Sequence, residues 1–502
     1  MDSVSKLVLP KGAGTLAVVD TQWGDTGKGK FVDLLSQWAD IIARGTGGAN
    51  AGHTIVIGDK TQVLHLIPSG ILQDDSGKIN IIGRGVALDP RILCEEIGML
   101  KKEGIQSKGL RLAYNGVLVL PSHLVVDRVK EARAGKGKIG TTGKGIGPAY
   151  EDHLGRVGLT VNDLLNPHGF KKKLIRSLER KVEYLKLVDQ KIVQEVMQQD
   201  DLGAGLFYDK KYIFNVDAIV EAYHKYTDVI GDMIIDTDSY LQNALGKKKI
   251  LLEGAQGVLL SIDYGTYPFV TASDCSLRGL AKGVGLETSD VDTAFSIVKA
   301  FYMTRVGEGP FPTEIGGEKS QEWCATKGID KRKEVELHPN ATVNSDDEFE
   351  QGIGIRLVGG EYGATTGRPR RTGWLDLPIL KYAIPHASDT LVLTKVDVLN
   401  EAETIKICYA YEYQGEEHRL GDRLLKNGDV LDTAISDSYI LKRCKPLYKE
   451  FPGWKQDITK AETMDDLPKE LKDIVSYIEK ETGARVAIIS VGPERNQTIS
   501  NM

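Results

Sequence analysis

Leu16-Ala17-Val18-Val19-Asp20, then Gly24-Asp25-Thr26-Gly27-Lys28-Gly29-Lys30, then FVDLLSQWAD at 31–40, is the stretch that decides the fold class. A short apolar run, a glycine-rich turn and apolar residues at helical spacing read as strand, phosphate-type loop and helix. The loop fits G-x4-G-K. Backbone N–H groups of such a loop, with a helix N-terminus behind them, cradle phosphate. Phe31 follows Lys30 where a Ser or Thr ordinarily ligates magnesium. Asp25 sets a carboxylate beside the anion site, which makes sense if it holds Mg2+ or takes a substrate proton. A glycine-rich surface turn with solvated charges is the alternative that this pattern alone leaves open.

Further short β-rich runs stand at INIIG (79–83), ILLEG (250–254), TLVLTKVD (390–397) and VAIISVG (486–492). Each ends at glycine or polar residues, and helical stretches separate them. This alternation predicts an α/β fold: a large, central, mostly parallel β-sheet with flanking helices and smaller inserted subdomains, of the P-loop-like GTP-binding kind. Ligands of such sheets sit beyond the carboxyl ends of the strands. Residues 174–199 and 216–245 read as amphipathic helix. Residues 317–350 are charged without clear periodicity and read as a surface insertion. No repeat or Pro/Ser-rich linker divides the chain, so residues 1–502 are expected to form one domain with insertions near 317–350 and 426–439.

Four more motifs carry chemistry. Gly47-Gly48-Ala49-Asn50-Ala51-Gly52-His53-Thr54 lets backbone approach a ligand closely, and His53 is placed to act as an acid near neutrality. Thr394-Lys395-Val396-Asp397 ends a strand. Its carboxylate can accept from both N1–H and the 2-amino group of guanine while the lysine stem lies along the ring. Gly363 to Trp374 (GATTGRPRRTGW) places Arg368, Arg370 and Arg371 behind a Gly/Thr-rich loop, which suits a small anion bearing carboxylates. Glu253-Gly254-Ala255-Gln256-Gly257, with Thr271 beyond it, offers hydrogen bonds to a base or phosphate. IGTTGKGIGPAY (139–150), with Arg156 following, is a further phosphate-loop candidate. Taken singly, each has a bland counterpart: a structural histidine, a solvated basic face, an ordinary turn.

Composition narrows the function classes. Sixty-four Lys and Arg against 70 Asp and Glu leave a net charge of −6, which gives no general electrostatic reason to bind nucleic acid. No apolar run approaches the ~20 residues of a membrane span. The start, MDSVSKLVLPKGAG, has no long apolar segment and reads as no secretory signal. The five cysteines are scattered and never spaced CxxC, so neither a zinc site nor a disulfide framework is expected, and a cytoplasmic location fits.

Read together, QWGDxGKGK, NAGHT, IGTTGxGIGPAYED, EGAQG, GTYPxVT, TRVGxGPFPTE, GATTGRPRRTGWLD and LTKxDVL occur in the order found in the adenylosuccinate synthetase family, and the chain resembles that family over nearly its whole length. The resemblance implies a ligase of purine biosynthesis. Such an enzyme joins L-aspartate to IMP with hydrolysis of GTP, through 6-phosphoryl-IMP, in the first committed step from IMP to AMP. It implies Asp25 as catalytic base and Mg2+ ligand, His53 as general acid, and Lys28 and Gln256 as further catalytic groups. The carbonyl of Gly52 is implied as the second protein ligand of Mg2+. Asp25, Lys28, Asn50, Ala51, Gly52, His53, Thr142, Gln256, Thr271 and Arg368 match the IMP contacts. Arg156 matches an arginine that reaches IMP in the neighbouring subunit, which implies a homodimer. GTP is implied at Gly24, Asp25, Thr26, Gly27, Lys28, Gly29, Lys30, Gly52, His53, Thr54 and Arg370, with guanine at Lys395, Val396, Asp397, Ser490, Val491 and Gly492. Aspartate is implied at Ala364, Thr365, Thr366, Gly367, Arg368 and Arg370.

Departures from the family pattern accompany these matches. Thr26 stands where most members carry Glu, and Asp20 where Gly is common. Ser261 and Tyr264 replace the usual Asp and His. These changes leave substrate choice open between IMP and a guanylate-type acceptor. A GTP-binding switch is the reading from another class. It leaves the arginine loop and NAGHT unexplained, and Phe31 lacks the hydroxyl a switch needs. A catalytically dead paralogue is the third, against which the complete set of acid, base and arginines argues.

Overall fold

Ten strands build the central sheet of the computed structural model, which describes residues 12–57, 60–135, 138–199, 214–363 and 367–501, with main chain alone at 53–57, 60–62 and 74–76. In chain order they are β1 (Thr15–Asp20), β2 (Ile41–Arg44), β3 (Ile79–Ile82), β4 (Leu110–Ala113), β5 (Ile234–Ile235), β6 (Ile250–Glu253), β7 (Thr293–Lys299), β8 (Thr390–Thr394), β9 (Arg485–Ser490) and β10 (Thr498–Ser500). Across the sheet they run β10-β9-β8-β7-β1-β6-β2-β3-β4-β5. All neighbours are parallel except β9 and β10, where the edge strand returns antiparallel. The expected α/β fold with a large, mostly parallel sheet is therefore what the chain adopts.

The central strand shows why the sequence folds this way. All six residues of β1 are buried, as they must be when helices cover both faces. Side chains alternate between faces. Leu16 and Val18 pack with Phe31, Val32, Leu34 and Leu35 of α1 (Lys28–Ser36), whereas Ala17 and Val19 pack with Leu280 and Ala281 on the other side. Gly27 starts α1 at φ 80°, a conformation a side chain would strain.

A second sheet joins Tyr302–Arg305, Arg371–Asp376, Thr404–Tyr413, Val430–Leu431 and Cys444–Pro452. Two helical expectations need correction. Residues 174–199 divide into Pro167–Lys186 and Gln190–Met197, because Asp189 caps a new helix by accepting from the Lys191 amide at 2.9 Å. Residues 216–245 divide into Val216–Ile230 and Thr237–Ala244, with β5 between them completing the sheet edge. Residues 317–350, expected as a charged surface insertion without clear periodicity, contain regular helix. They lie in helices Gly317–Ala325, Lys331–Leu337 and Glu348–Gly359, the first two too short to display a period. Their packing buries a charge pair, Glu334 with Arg356 at 2.7 Å, both side chains fully inaccessible. The Trp323 indole and the Tyr362 hydroxyl donate to the same carboxylate, at 2.8 and 2.5 Å. A carboxylate so buried needs those donors. The segment 426–439 leads into Ser438–Leu441 and braces another loop, described below.

All five cysteines are free. Among the described residues no helix is long and apolar enough to cross a membrane.

Candidate active site

The loops that follow β1, β2, β6, β8 and β9 all leave the carboxyl edge of the sheet, and most of the anticipated residues lie on them. After β1 the phosphate loop turns back over β6: the Lys28 ammonium donates to the Gln256 carbonyl at 2.8 Å, joining residues 228 positions apart. Burial lowers the Lys28 pKa, against the opposing charges of Asp20 and Glu253. Gln256 donates through Nε2 to Asn50 Oδ1 at 3.3 Å, and Asn50 Nδ2 donates to Thr271 Oγ1 at 3.1 Å. Three residues anticipated at the nucleotide base thus form one chain of side-chain amides and hydroxyl.

The arginine loop closes over the phosphate loop. Arg370 Nη2 lies 2.5 Å from Asp25 Oδ2, an ion pair whose carboxylate stays 39% exposed and thus open to a ligand. Gly363 N donates to Arg368 O, and Arg370 N donates to Glu361 O, which pins the root of the loop. Lys30 behaves differently from Lys28. Its ammonium donates to Ser490 Oγ and Gly492 O, both at 2.7 Å, and to Gln497 O at 3.0 Å. All three protons are thus directed at the wall after β9. Burial lowers its pKa to about 8, opposed by Asp397 and Glu494. Burial raises the Asp397 carboxyl, with Lys30 and Lys395 pulling it back.

Two further observations mark the same region. Six non-glycine residues among those described have positive φ; three of them, Asp25 (54°), Gln256 (53°) and Lys395 (56°), lie on these loops, and a fourth anticipated residue, Arg156 (59°), lies elsewhere. Such strain collects where surrounding structure holds a residue for a purpose. Gln256 Oε1 and Arg370 Nε are buried polar atoms without a partner. Burying an unpaired polar atom is costly and is tolerated where a ligand supplies the partner.

Other anticipated residues are not gathered by this chain. Thr142 lies exposed on the loop before Ile146–Leu154, and Arg156 is exposed just beyond that helix, next to Leu154, which is 80% exposed. Arg368 is exposed on the arginine loop. Ala364, Thr365 and Thr366 lie outside the described residues. His53 and Thr54, described in their main chain alone, open the hairpin of His53–Ile57 with Lys60–Leu64.

The departures from the family pattern have local explanations. Asp20 and Thr26 meet each other: Thr26 Oγ1 donates to Asp20 Oδ2 at 2.7 Å, and the Gln22 amide donates to Asp20 Oδ1 at 2.8 Å. Burial raises the Asp20 carboxyl, and nearby Lys28 counters it. Ser261 Oγ donates to Asp274 Oδ1 at 3.0 Å. Tyr264 stacks on His386 with ring centres 3.9 Å apart. The carbonyls of Tyr264 and Gly265 accept from Ser436, and those of Thr266 and Tyr267 from Ser438, so residues 436–438 brace the turn that leads to Thr271.

Glu361 and Lys299 were not singled out in the sequence. Glu361 lies only two residues before the GATTG run, but nothing in its neighbours distinguishes it from a surface carboxylate. Among the described residues no group of three or more His, Cys, Asp or Glu gathers around one point. The Asp25 carboxylate and the main-chain carbonyl of Gly52 are hard oxygen donors. One carboxylate and one carbonyl suit a small hard cation that takes its remaining ligands from substrate phosphates.

Comparison with known proteins gives the family and the fold. The family described as adenylosuccinate synthetase matches residues 17–499. The chain is 41% identical over 488 residues to the adenylosuccinate synthetase of Geotalea daltonii, covering 96% of this chain and 97% of that one. It is 40% identical over 486 residues to that of Bacillus cereus, with the same coverage. The fully ligated adenylosuccinate synthetase of Plasmodium falciparum superposes with a TM-score of 0.76 at 32% identity, covering 97% of this chain and all of that one. The succinoaminodeoxyadenylate synthetase of cyanophage S-2L, bound to dGMP and dATP, shares the fold at a TM-score of 0.51 and 17% identity, over 97% of this chain and 95% of that one. The chain belongs to the adenylosuccinate synthetase family, whose members ligate L-aspartate to IMP at the expense of GTP.

Proposed function

We propose that the reaction runs at the carboxyl edge of the sheet with the following division of work. IMP lies against Asn50, Ala51, Gly52, Gln256, Thr271 and Arg368, with Thr142 from the loop before Ile146–Leu154. Asp25 takes the N1 proton, and O6 attacks the γ-phosphorus of GTP as the bond to the β-phosphate oxygen breaks. His53 and Lys28 stabilise charge on that departing oxygen, a form of catalysis that depends on placement and electrostatics. The aspartate amine then attacks C6, inorganic phosphate leaves with O6, and the amine loses its proton. Gly367, Arg368 and Arg370 hold the aspartate carboxylates with Ala364, Thr365 and Thr366. Gly24 to Lys30, with Thr54, surrounds the GTP phosphates, while Lys395, Val396, Asp397, Ser490, Val491 and Gly492 hold guanine.

A metal fits Asp25 and the Gly52 carbonyl, and Mg2+ is the ion proposed. When bound it neutralises phosphate charge and draws electrons from the transferring group. The exposed Leu154 beside exposed Arg156 supports a homodimer in which Arg156 serves the neighbouring subunit. A cytoplasmic location is part of this reading, supported by the family.

The observation that carries these roles is the Arg370–Asp25 pair, which sets an anion-binding arginine against the one carboxylate of the phosphate loop. The test mixes purified protein with Mg2+, GTP, IMP and L-aspartate, follows the ultraviolet change at the purine, and omits each component in turn. Strict dependence on all four supports the reading. Turnover with dGMP or GMP alone would move the acceptor to the guanylates, and GTP hydrolysis indifferent to aspartate would overturn it.

A further inference from the structure

One buried carboxylate reaches both ends of this site without belonging to either. Glu361 is 3% exposed and follows the helix Glu348–Gly359, where its amide donates to Arg356 O at 3.0 Å. Its carboxylate accepts from the Lys299 ammonium at 2.8 Å, the Tyr302 hydroxyl at 2.6 Å and the Lys395 ammonium at 2.7 Å. Lys395 also donates to Gly359 O at 2.8 Å. The main-chain carbonyl of Glu361 accepts from the Arg370 amide at 2.9 Å, at the root of the arginine loop. Arg370 in turn touches Asp25.

We propose that Glu361 is a positioning residue that ties the guanine-facing turn to the aspartate-binding loop, so that both substrates depend on one carboxylate that touches neither. The proposal rests on the roles assigned above to Lys395 and Arg370. The geometry gives it two independent supports. Lys395 sits at φ 56°, a conformation its own sequence does not favour, and the two bonds from its ammonium hold it there. Tyr362 and Pro369 are bridged at the root of the arginine loop, so a shift of Glu361 moves that root directly. Burial would raise the Glu361 carboxyl, but Lys299 and Lys395 outweigh it and hold it down to about 2. The group is therefore a fixed charge at every physiological pH.

Glu361→Gln tests this. An amide accepts on one side and donates on the other, so it cannot receive both ammonium groups. Three Michaelis constants are measured beside kcat. The expected result is a rise of about tenfold in KM for GTP and for aspartate together, with KM for IMP within about twofold, as loss of a charge-assisted hydrogen bond predicts. Glu361→Asp, which keeps the charge but shortens the reach, stands in if the amide variant does not fold, with the same expectation. Tyr302→Phe is the control: it removes a bond to the same carboxylate and leaves both lysines paired, so it lowers the melting temperature without moving the KM values. An unchanged aspartate KM, equal shifts in all three constants, or the same kinetic pattern in Tyr302→Phe would overturn the proposal. Asp397→Asn and Arg370→Leu are run in parallel. If they leave purine preference and aspartate kinetics intact, the site assignment itself fails; if they behave as assigned and Glu361 does not, the tie alone is refuted.

Discussion

Replacing Asp25 by Asn removes a proton acceptor while leaving shape almost untouched, so it separates chemistry from folding. The main chain at 25 has φ 54°, which Asn enters more readily than most residues. The carboxylate pairs with Arg370 at 2.5 Å but is 39% exposed, and the amide oxygen of Asn still accepts from the guanidinium. The pair is therefore worth at most ~1 kcal/mol. At ~2 cal/mol/K of unfolding entropy per residue, a 502-residue chain loses about 1 °C of melting temperature for that sum. Proton acceptance is worth much more, about 10²- to 10⁴-fold in rate. The expected variant melts within about 1 °C of the parent, binds GTP within about threefold, and loses at least about a hundredfold in kcat. Titration calorimetry with GTP, thermal melting and steady-state turnover measure the three quantities. Turnover within about tenfold of the parent would refute the base assignment, and a large loss of both melting temperature and GTP affinity would show that Asp25 holds the loop instead.

Other outcomes follow from the same geometry. Arg370→Leu should lower kcat/KM for aspartate about tenfold or more, the worth of a charge-assisted carboxylate contact, as read from aspartate saturation curves. Asp397→Asn should reduce the preference for GTP over ITP or ATP about tenfold, in competition assays with the three triphosphates. Asp376, buried with the Tyr411 hydroxyl at 2.7 Å from both its oxygens, is raised by burial to about 7. Its folded pKa lies above the unfolded value of 3.8, so the stability it contributes is present at acid pH and declines as pH rises between about 4 and about 7. Asp376→Asn should flatten the melting temperature across that window relative to the parent. Mixing Asp25→Asn subunits with Arg156→Leu subunits should restore part of the activity that each lacks alone, if Arg156 serves its neighbour; no gain on mixing would count against shared sites.

The central strand, the phosphate loop and its helix were legible because each is a local pattern. Apolar runs, a glycine at a left-handed position and helical spacing act over a few residues. The longer helices were misplaced where a single polar residue intervened. Asp189 and Asp236 each cap a new helix, and a capping side chain is a weak signal inside an otherwise amphipathic run. The 317–350 segment showed no helical period, and Glu334 and Arg356 look like surface charges; only packing shows that they neutralise each other in the interior.

The chain's sequence alone determined the parallel α/β class, the family, and the residue types proposed to meet phosphate, guanine and carboxylate, since these depend on short motifs with their own local geometry. The tertiary structure decided how the motifs share their charges. Lys28 and Lys30 are two residues apart and chemically identical, yet one turns to Gln256 and the other to Ser490, 460 positions away. Asp20 finds Thr26, and Glu361 gathers Lys299 and Lys395. Parallel strands are joined by crossovers of many residues, so neighbours at the sheet edge are set by strand order, and sequence spacing carries no record of it.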